Sequence, residues 1–225
     1  MKKYEFTGET KEIKLLFRTA VLHRIRATVS FGFVKIGDLG GWIEKEENLS
    51  HEGKAWVWGN AKVCGNAKVC GNAKVCGDAE VWGNAKVCGN AKVCGNAKVC
   101  GDAEVWGNAK VCGNAKVCGN AKVCGNAEVC GDAEVWGNAK VFSASHVLVI
   151  GAIGSRNDFT TFYRDKDNEI TVKCGCFLGK IDRFLEKVTQ THGDSKYALV
   201  YRAAVEVAKL QIDLLGEAPK DADEE

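Results

Sequence analysis

From Gly53 to Phe142 the chain repeats one pattern of apolar and polar positions every six residues, opening with GKAWVW, continuing as GNAKVC and GDAEVW, and closing on GNAKVF. In most units Ala and Val lie two apart with a Lys or Glu between them, which is the alternation of a strand. Val is β-branched and suits extended backbone, whereas Gly-Asn is a turn pair that tolerates positive φ. Each hexad therefore predicts one short strand and one corner, and fifteen of them without a break predict a solenoid. Because six is even, the same residues stay inside in every unit. Val57, Val63, Val69 and their successors to Val141 form the candidate core, each worth roughly 1.5–3 kcal/mol gross on burial against the entropy of ordering the chain.

The period is absent from both ends. Residues 1–52 read as an N-terminal β cap, since Leu22 to Val29 alternates for part of its length and Gly37 to Ile43 supplies turns. A solenoid needs such covers because an open terminal coil is an edge that aggregates. Residues 53–148 are the repeat body. Over 149–216 the pattern predicts a small α+β unit: Phe159–Arg164 and Glu169–Cys174 flank the polar turn Asp165–Asn168, a hairpin signal. Phe177, Ile181, Phe184, Leu185 and Val188 then take helical spacing up to His192-Gly193. A second helix, capped by Asp194 or Ser195 and closed by Gly216, carries Tyr197, Tyr201, Ala204, Val205, Ala208, Ile212 and Leu215 on one face. Residues 217–225 are expected to be a disordered acidic tail. Asp165-x-Asp167 looks like the start of a calcium loop, but Ile170 stands where such a loop needs glycine.

An aliphatic residue every six positions with a small residue four later, as in Val63, Ala67 and Val69, resembles the hexapeptide-repeat, left-handed parallel β-helix family. The layout looks most like hexapeptide-repeat proteins of bacteria and phages, a resemblance that brings no established activity with it. It implies a mainly β fold, a triangular prism with three hexads per coil. That gives about five coils, with an irregular sixth through Ser143 to Ile150. Many members of the family are acyltransferases with a catalytic histidine near an extruded loop, and some are carbonic anhydrases with three zinc-binding histidines. The hexads here contain neither a histidine nor an inserted loop. The histidines are His23, His51, His146 and His192, of which His146 falls at an outward repeat position and reads as a surface or cap residue.

Folded onto three faces, the 18-residue coil puts outward residues in columns. Lys74, Lys92, Lys110 and Glu128 form one; Lys62, Glu80, Lys98, Lys116 and Glu134 a second; Lys68, Lys86, Glu104, Lys122 and Lys140 the third. Lysines stacked at strand spacing repel, and each glutamate lands beside at least one of them. Cysteines stack likewise: Cys76, Cys94, Cys112 and Cys130 on one face, Cys100 and Cys118 on another, Cys70 and Cys88 on the third. Trp58, Trp82, Trp106 and Trp136 take the same outward position. Their Cα spacing falls inside the disulfide window, but parallel, in-register side chains do not aim at each other, so the expectation is thiols without a chemical task, with adventitious capture of a thiophilic metal and a built metal or redox ladder as the alternatives.

Charge narrows the partners. Lys+Arg 31 against Asp+Glu 29 gives +2, which disfavours nucleic acid. No apolar run is long enough for a membrane and the N-terminus lacks an apolar signal core, so the expectation is a soluble, cytoplasmic protein. The repeats are too uniform to specify a site. The non-repeating cluster Ser155–Arg164 with Lys173–Cys176 mixes cationic, amide, hydroxyl and thiol groups, and Arg156, Asn157, Asp158, Arg164, Cys174 and Cys176 are the candidate partner-binding residues. Cys174 and Cys176, two apart on a strand, are expected to share a face. The preferred function is a non-enzymatic scaffold that presents a C-terminal recognition domain to a protein partner or a small anionic ligand, with no cofactor and with homo-oligomers left open. The alternatives are an acyltransferase-like enzyme and a phage-encoded binder of a host factor.

Overall fold

The computed structural model describes residues 2–15 and 18–217. Strands β1 (Tyr4–Lys14), β2 (Thr19–Ala27) and β3 (Leu39–Ile43) precede the repeats. Each hexad then contributes one two-residue strand, from β4 (Trp56–Val57) at six-residue intervals to β18 (Lys140–Val141). Strands three hexads apart pair in parallel: Lys62 with Glu80, Lys68 with Lys86, Lys74 with Lys92. Three stacks result, β3-β5-β8-β11-β14-β17, β4-β7-β10-β13-β16 and β6-β9-β12-β15-β18, the first continued outward by β2 and β1. Backbone N–H groups donate one coil onward, as from Lys62 to Ala79 at 2.9 Å and from Cys64 to Val81 at 3.0 Å. Every hexad Ala and Val from Ala55 to Val141 is at most 2% exposed, so the even period builds the core that it predicts. The fold is a parallel β-solenoid with an 18-residue turn.

Glycine at the corner answers two demands at once. Gly83 has φ +77°, and a Cβ there would lie 2.9 Å from the backbone N and O of Gly101 one coil on. Left-handed backbone and close stacking both exclude a side chain.

The coil count differs from expectation at the ends. Trp42 and Ile43 pair with Lys62 and Val63, and Leu49 bridges to Val69, so one further coil precedes the hexads. Its offset to the next coil is twenty residues rather than eighteen. Asn48 makes that irregular coil fit, its amide donating to the carbonyls of Gly65 (3.1 Å) and Ala67 (2.8 Å). Trp56 stands at a lysine position yet is only 1% exposed, because Tyr4 and Phe31 of the N-terminal segment pack edge-on against it. The sixth coil expected after Ser143 does not form. Ser143 to His146 has no corner glycine; the chain makes a 3-10 turn over Ala144–His146 and enters an antiparallel sheet instead.

That sheet, β19 (Val147–Ile153), β20 (Asp158–Arg164), β21 (Ile170–Cys174) and β22 (Phe177–Lys180), closes the far end in the order β19-β20-β21-β22. The expected hairpin is β20-β21, with Arg164 opposite Ile170. Alternation divides the two faces of β20. Tyr163 joins the solenoid core, whereas Phe162 joins a second core with Val172, Phe184, Val188, Tyr201 and Val205. Docking to the last coil is by side chains: the Glu134 N–H donates to the Thr161 hydroxyl (2.9 Å), and the Tyr163 hydroxyl donates to the Trp136 carbonyl (3.0 Å). Helices α1 (Ile181–His192) and α2 (Lys196–Gln211) cover the other face. Phe177 belongs to β22 rather than to α1, and α2 ends at Gln211, short of Gly216. The Asp165 turn satisfies itself: the carboxylate accepts from Asp167 N (2.9 Å), Glu169 N (3.2 Å), Thr171 Oγ1 (2.6 Å) and Lys180. Beyond Glu217 the expected acidic tail lies outside the described residues.

Candidate functional site

The charge columns stand as the repeat implies, and each glutamate is paired. Glu80 receives Lys62 at 2.7 Å and Lys98 at 3.5 Å; Glu104 receives Lys86 at 3.7 Å and Lys122 at 3.1 Å; Glu128 receives Lys110 at 2.5 Å. Asparagines make ladders of their own at the corners. The amide of Asn72 donates to Asn90, Asn90 to Asn108 and Asn108 to Asn126, at 3.1–3.2 Å, while Asp102 ends another run by accepting from Asn84 at 2.8 Å. A corner Asn thus serves the turn and the stack together.

The cysteines correct the thiol expectation. Cys76 is bonded to Cys94, Cys100 to Cys118 and Cys112 to Cys130, with Cα–Cα distances of 4.7, 4.7 and 4.6 Å. These Cα distances lie inside the disulfide window. Cys70 and Cys88 hold their Sγ atoms 2.8 Å apart. Burial pushes the Cys64 thiol up to about 11.

A groove of about 560 Å³ opens where the last coils meet the C-terminal sheet. Arg156, Asp158 and Cys176 line it from that sheet and its turns, facing Lys116, Glu134 and Trp136 of the solenoid. Glu134 is its hub, accepting from Lys116 (2.7 Å) and from Lys173 (3.1 Å), whose ammonium also lies 5.2 Å from the Trp136 ring centre. Burial alone would raise the Glu134 carboxyl, but the two lysines outweigh it and hold it below the usual range. With Asp132, the groove balances three cationic against three anionic side chains.

The structure divides the remaining candidates. Arg164, 2% exposed, donates to Asn168, to the carbonyls of Leu215 (3.3 Å) and Gly216 (2.9 Å), and lies over Phe142. It is a tether of the C-terminal segment, away from the groove. Asn157 adopts φ +50° in the turn before β20. Cys174 does not share a strand face with Cys176: it pairs with Phe177 across the two-residue turn Gly175-Cys176 and faces the second core, where Thr160 donates to it at 3.3 Å. Cys176 is exposed. His146 is also buried rather than outward, its Nδ1 accepting from the Phe142 N–H at 3.3 Å, and burial with nearby Arg164 lowers its pKa.

Sequence reasoning left out Lys116, Glu134 and Trp136 as groove residues and held Lys173 only as the edge of the candidate cluster. The signal was present in the GDAEVW unit at 131–136, which interrupts both the lysine and the cysteine columns where the C-terminal sheet docks. No protein-family model matches the chain, and no curated protein is found similar to it. The class that the fold defines is a parallel β-solenoid closed at both ends by antiparallel strands. No helix among the described residues is long and apolar enough to cross a membrane.

Proposed function

We propose that the chain is a non-enzymatic scaffold of the hexapeptide-repeat, left-handed β-helix type, a rigid rod that presents the C-terminal groove to a protein partner. The observation that carries this reading is the unbroken in-register ladder from β3 to β17 with both ends covered. Such a stack has no internal hinge and holds its two end units at a fixed spacing. Charge balance and Trp136 suit the groove to a polypeptide segment bearing both signs more than to a lone anion. Two measurements on the full chain test the rod and the groove separately. Duplicating residues 83–100 should lengthen the particle by about 4.8 Å in small-angle scattering at constant cross-section; an unchanged length or a broadened distribution refutes the rigid rod. Arg156→Ala and Asp158→Ala should each lose the partner that the parent captures, with unchanged circular dichroism. Equal capture by parent and variants refutes the groove.

A further inference from the structure

The second face differs from the other two in its cysteines. Cys76, Cys94, Cys112 and Cys130 follow one another without interruption, whereas Trp82 breaks the column of Cys64, Cys100 and Cys118, and Trp106 breaks that of Cys70, Cys88 and Cys124. The structure bonds the first pair of the four and the last pair. The backbone gives those two gaps no privilege over the middle one. Cys76 N donates to Val93 O, Cys94 N to Val111 O and Cys112 N to Val129 O, each at 2.9 Å. The flanking strands keep the same register throughout, Lys74 with Lys92, Lys92 with Lys110 and Lys110 with Glu128. All four cysteines are half-buried and reachable from solvent. Lys74, Lys92 and Lys110 precede three of them by two residues and Glu128 the fourth, on the same outward side.

We propose that this column is a thiol–disulfide relay, in which the disulfide moves between coils, so that a pair of reducing equivalents received at Cys76 leaves one thiol at each end of the column. The donor is a small dithiol. Its thiolate attacks Cys76 Sγ, the Cys76–Cys94 bond breaks, and Cys94 leaves as thiolate. The second sulfur of the donor then displaces Cys76, which takes a proton, and the donor departs as its cyclic disulfide. The Cys94 thiolate attacks Cys112 Sγ; the Cys94–Cys112 bond forms, the Cys112–Cys130 bond breaks, and Cys130 leaves as thiolate and is protonated. Two protein disulfides and one dithiol become one protein disulfide, two protein thiols and one oxidised dithiol. Attacking and attacked sulfur atoms are held one coil apart throughout, so the internal step needs no encounter. The relay does not involve the C-terminal groove.

The test asks whether two cysteines that belong to different disulfides in the structure will bond. Cys76→Ser/Cys130→Ser leaves Cys94 and Cys112, one coil apart. Cys76→Ser/Cys112→Ser removes the same number of cysteines but leaves Cys94 and Cys130 two coils apart, about 9 Å by strand spacing and beyond disulfide reach. Both full-length variants are reduced, reoxidised with a small-molecule disulfide, denatured and alkylated. Intact mass counts the alkylated thiols and separates any mixed disulfide by its added mass. The first variant is expected to show two fewer alkylated thiols than the second, and equal counts overturn the relay. Circular dichroism checks both folds, and alanine versions of the same pairs give the identical count if the serine variants fail to fold.

Discussion

Replacing Gly83 by alanine isolates what the corner glycine does, because Gly131 provides a matched control. Both have left-handed backbone, φ +77° and +68°. A Cβ at Gly83 would meet Gly101 N and O at 2.9 Å, against 3.4 Å or more for ordinary contact, while at Gly131 nothing lies within 4 Å. The conformational cost applies to both and is about 1–2 kcal/mol. Gly83→Ala must in addition push apart coils whose backbones are hydrogen-bonded on either side of the corner, an overpacking cost of about 1–3 kcal/mol. Gly131→Ala should therefore destabilise by about 1–2 kcal/mol and Gly83→Ala by about 2–5 kcal/mol. Urea unfolding followed by circular dichroism gives both values from midpoint and slope. Equal losses would refute the close-stacking half of the argument and leave only the dihedral half.

Excising the coil Gly83–Cys100 should leave a cooperatively folding protein, because every column closes up in register. Excising nine residues from Gly83 puts the core valines out of phase and should abolish the transition. Reducing the three disulfides should lower stability by about 3 kcal/mol each on the chain-entropy account, since each closes a loop of 18 residues; a urea midpoint unmoved by reductant would contradict it. Arg164→Ala removes the hydrogen bonds to the carbonyls of Leu215 and Gly216 and should cost roughly 1.5–3 kcal/mol, with hydrogen-exchange protection lost from β19 to α2 before the hexads. Glu134 is held below its ordinary value of 4.5 in the folded state, so its contribution is fully present above that pH and disappears as pH falls through the lowered value. Glu134→Gln should flatten that part of the stability profile below pH 4.5, and an unchanged slope in acid would show that the Lys116–Glu134–Lys173 cluster does not contribute to docking the C-terminal sheet.

The hexad itself determined the repeat body, because a period that is even and contains Gly, Ala and Val at fixed places leaves little freedom. Left-handed corners, inward valines and lysine–glutamate columns are all local or nearest-coil consequences of six residues, and strand pairing realises them residue for residue. Periodicity does not encode that Cys94 bonds Cys76 rather than Cys112, since it places both one coil away. Where the chain leaves its period, tertiary structure decided. Leu49 and Asn48 make a coil by burial and amide hydrogen bonds that no repeat announces, and Trp56 is buried because Tyr4 and Phe31 happen to cover it. The candidate site shows the same division. Arg156, Asp158 and Cys176 were legible as a non-repeating polar cluster, but Arg164, six residues from Asp158, points into a buried tether because the return of the chain at Leu215 decides its surroundings. Glu134 and Trp136 meet Lys173 only once Thr161 and Tyr163 seat β20 on the last coil, a contact between segments that sequence order keeps far apart.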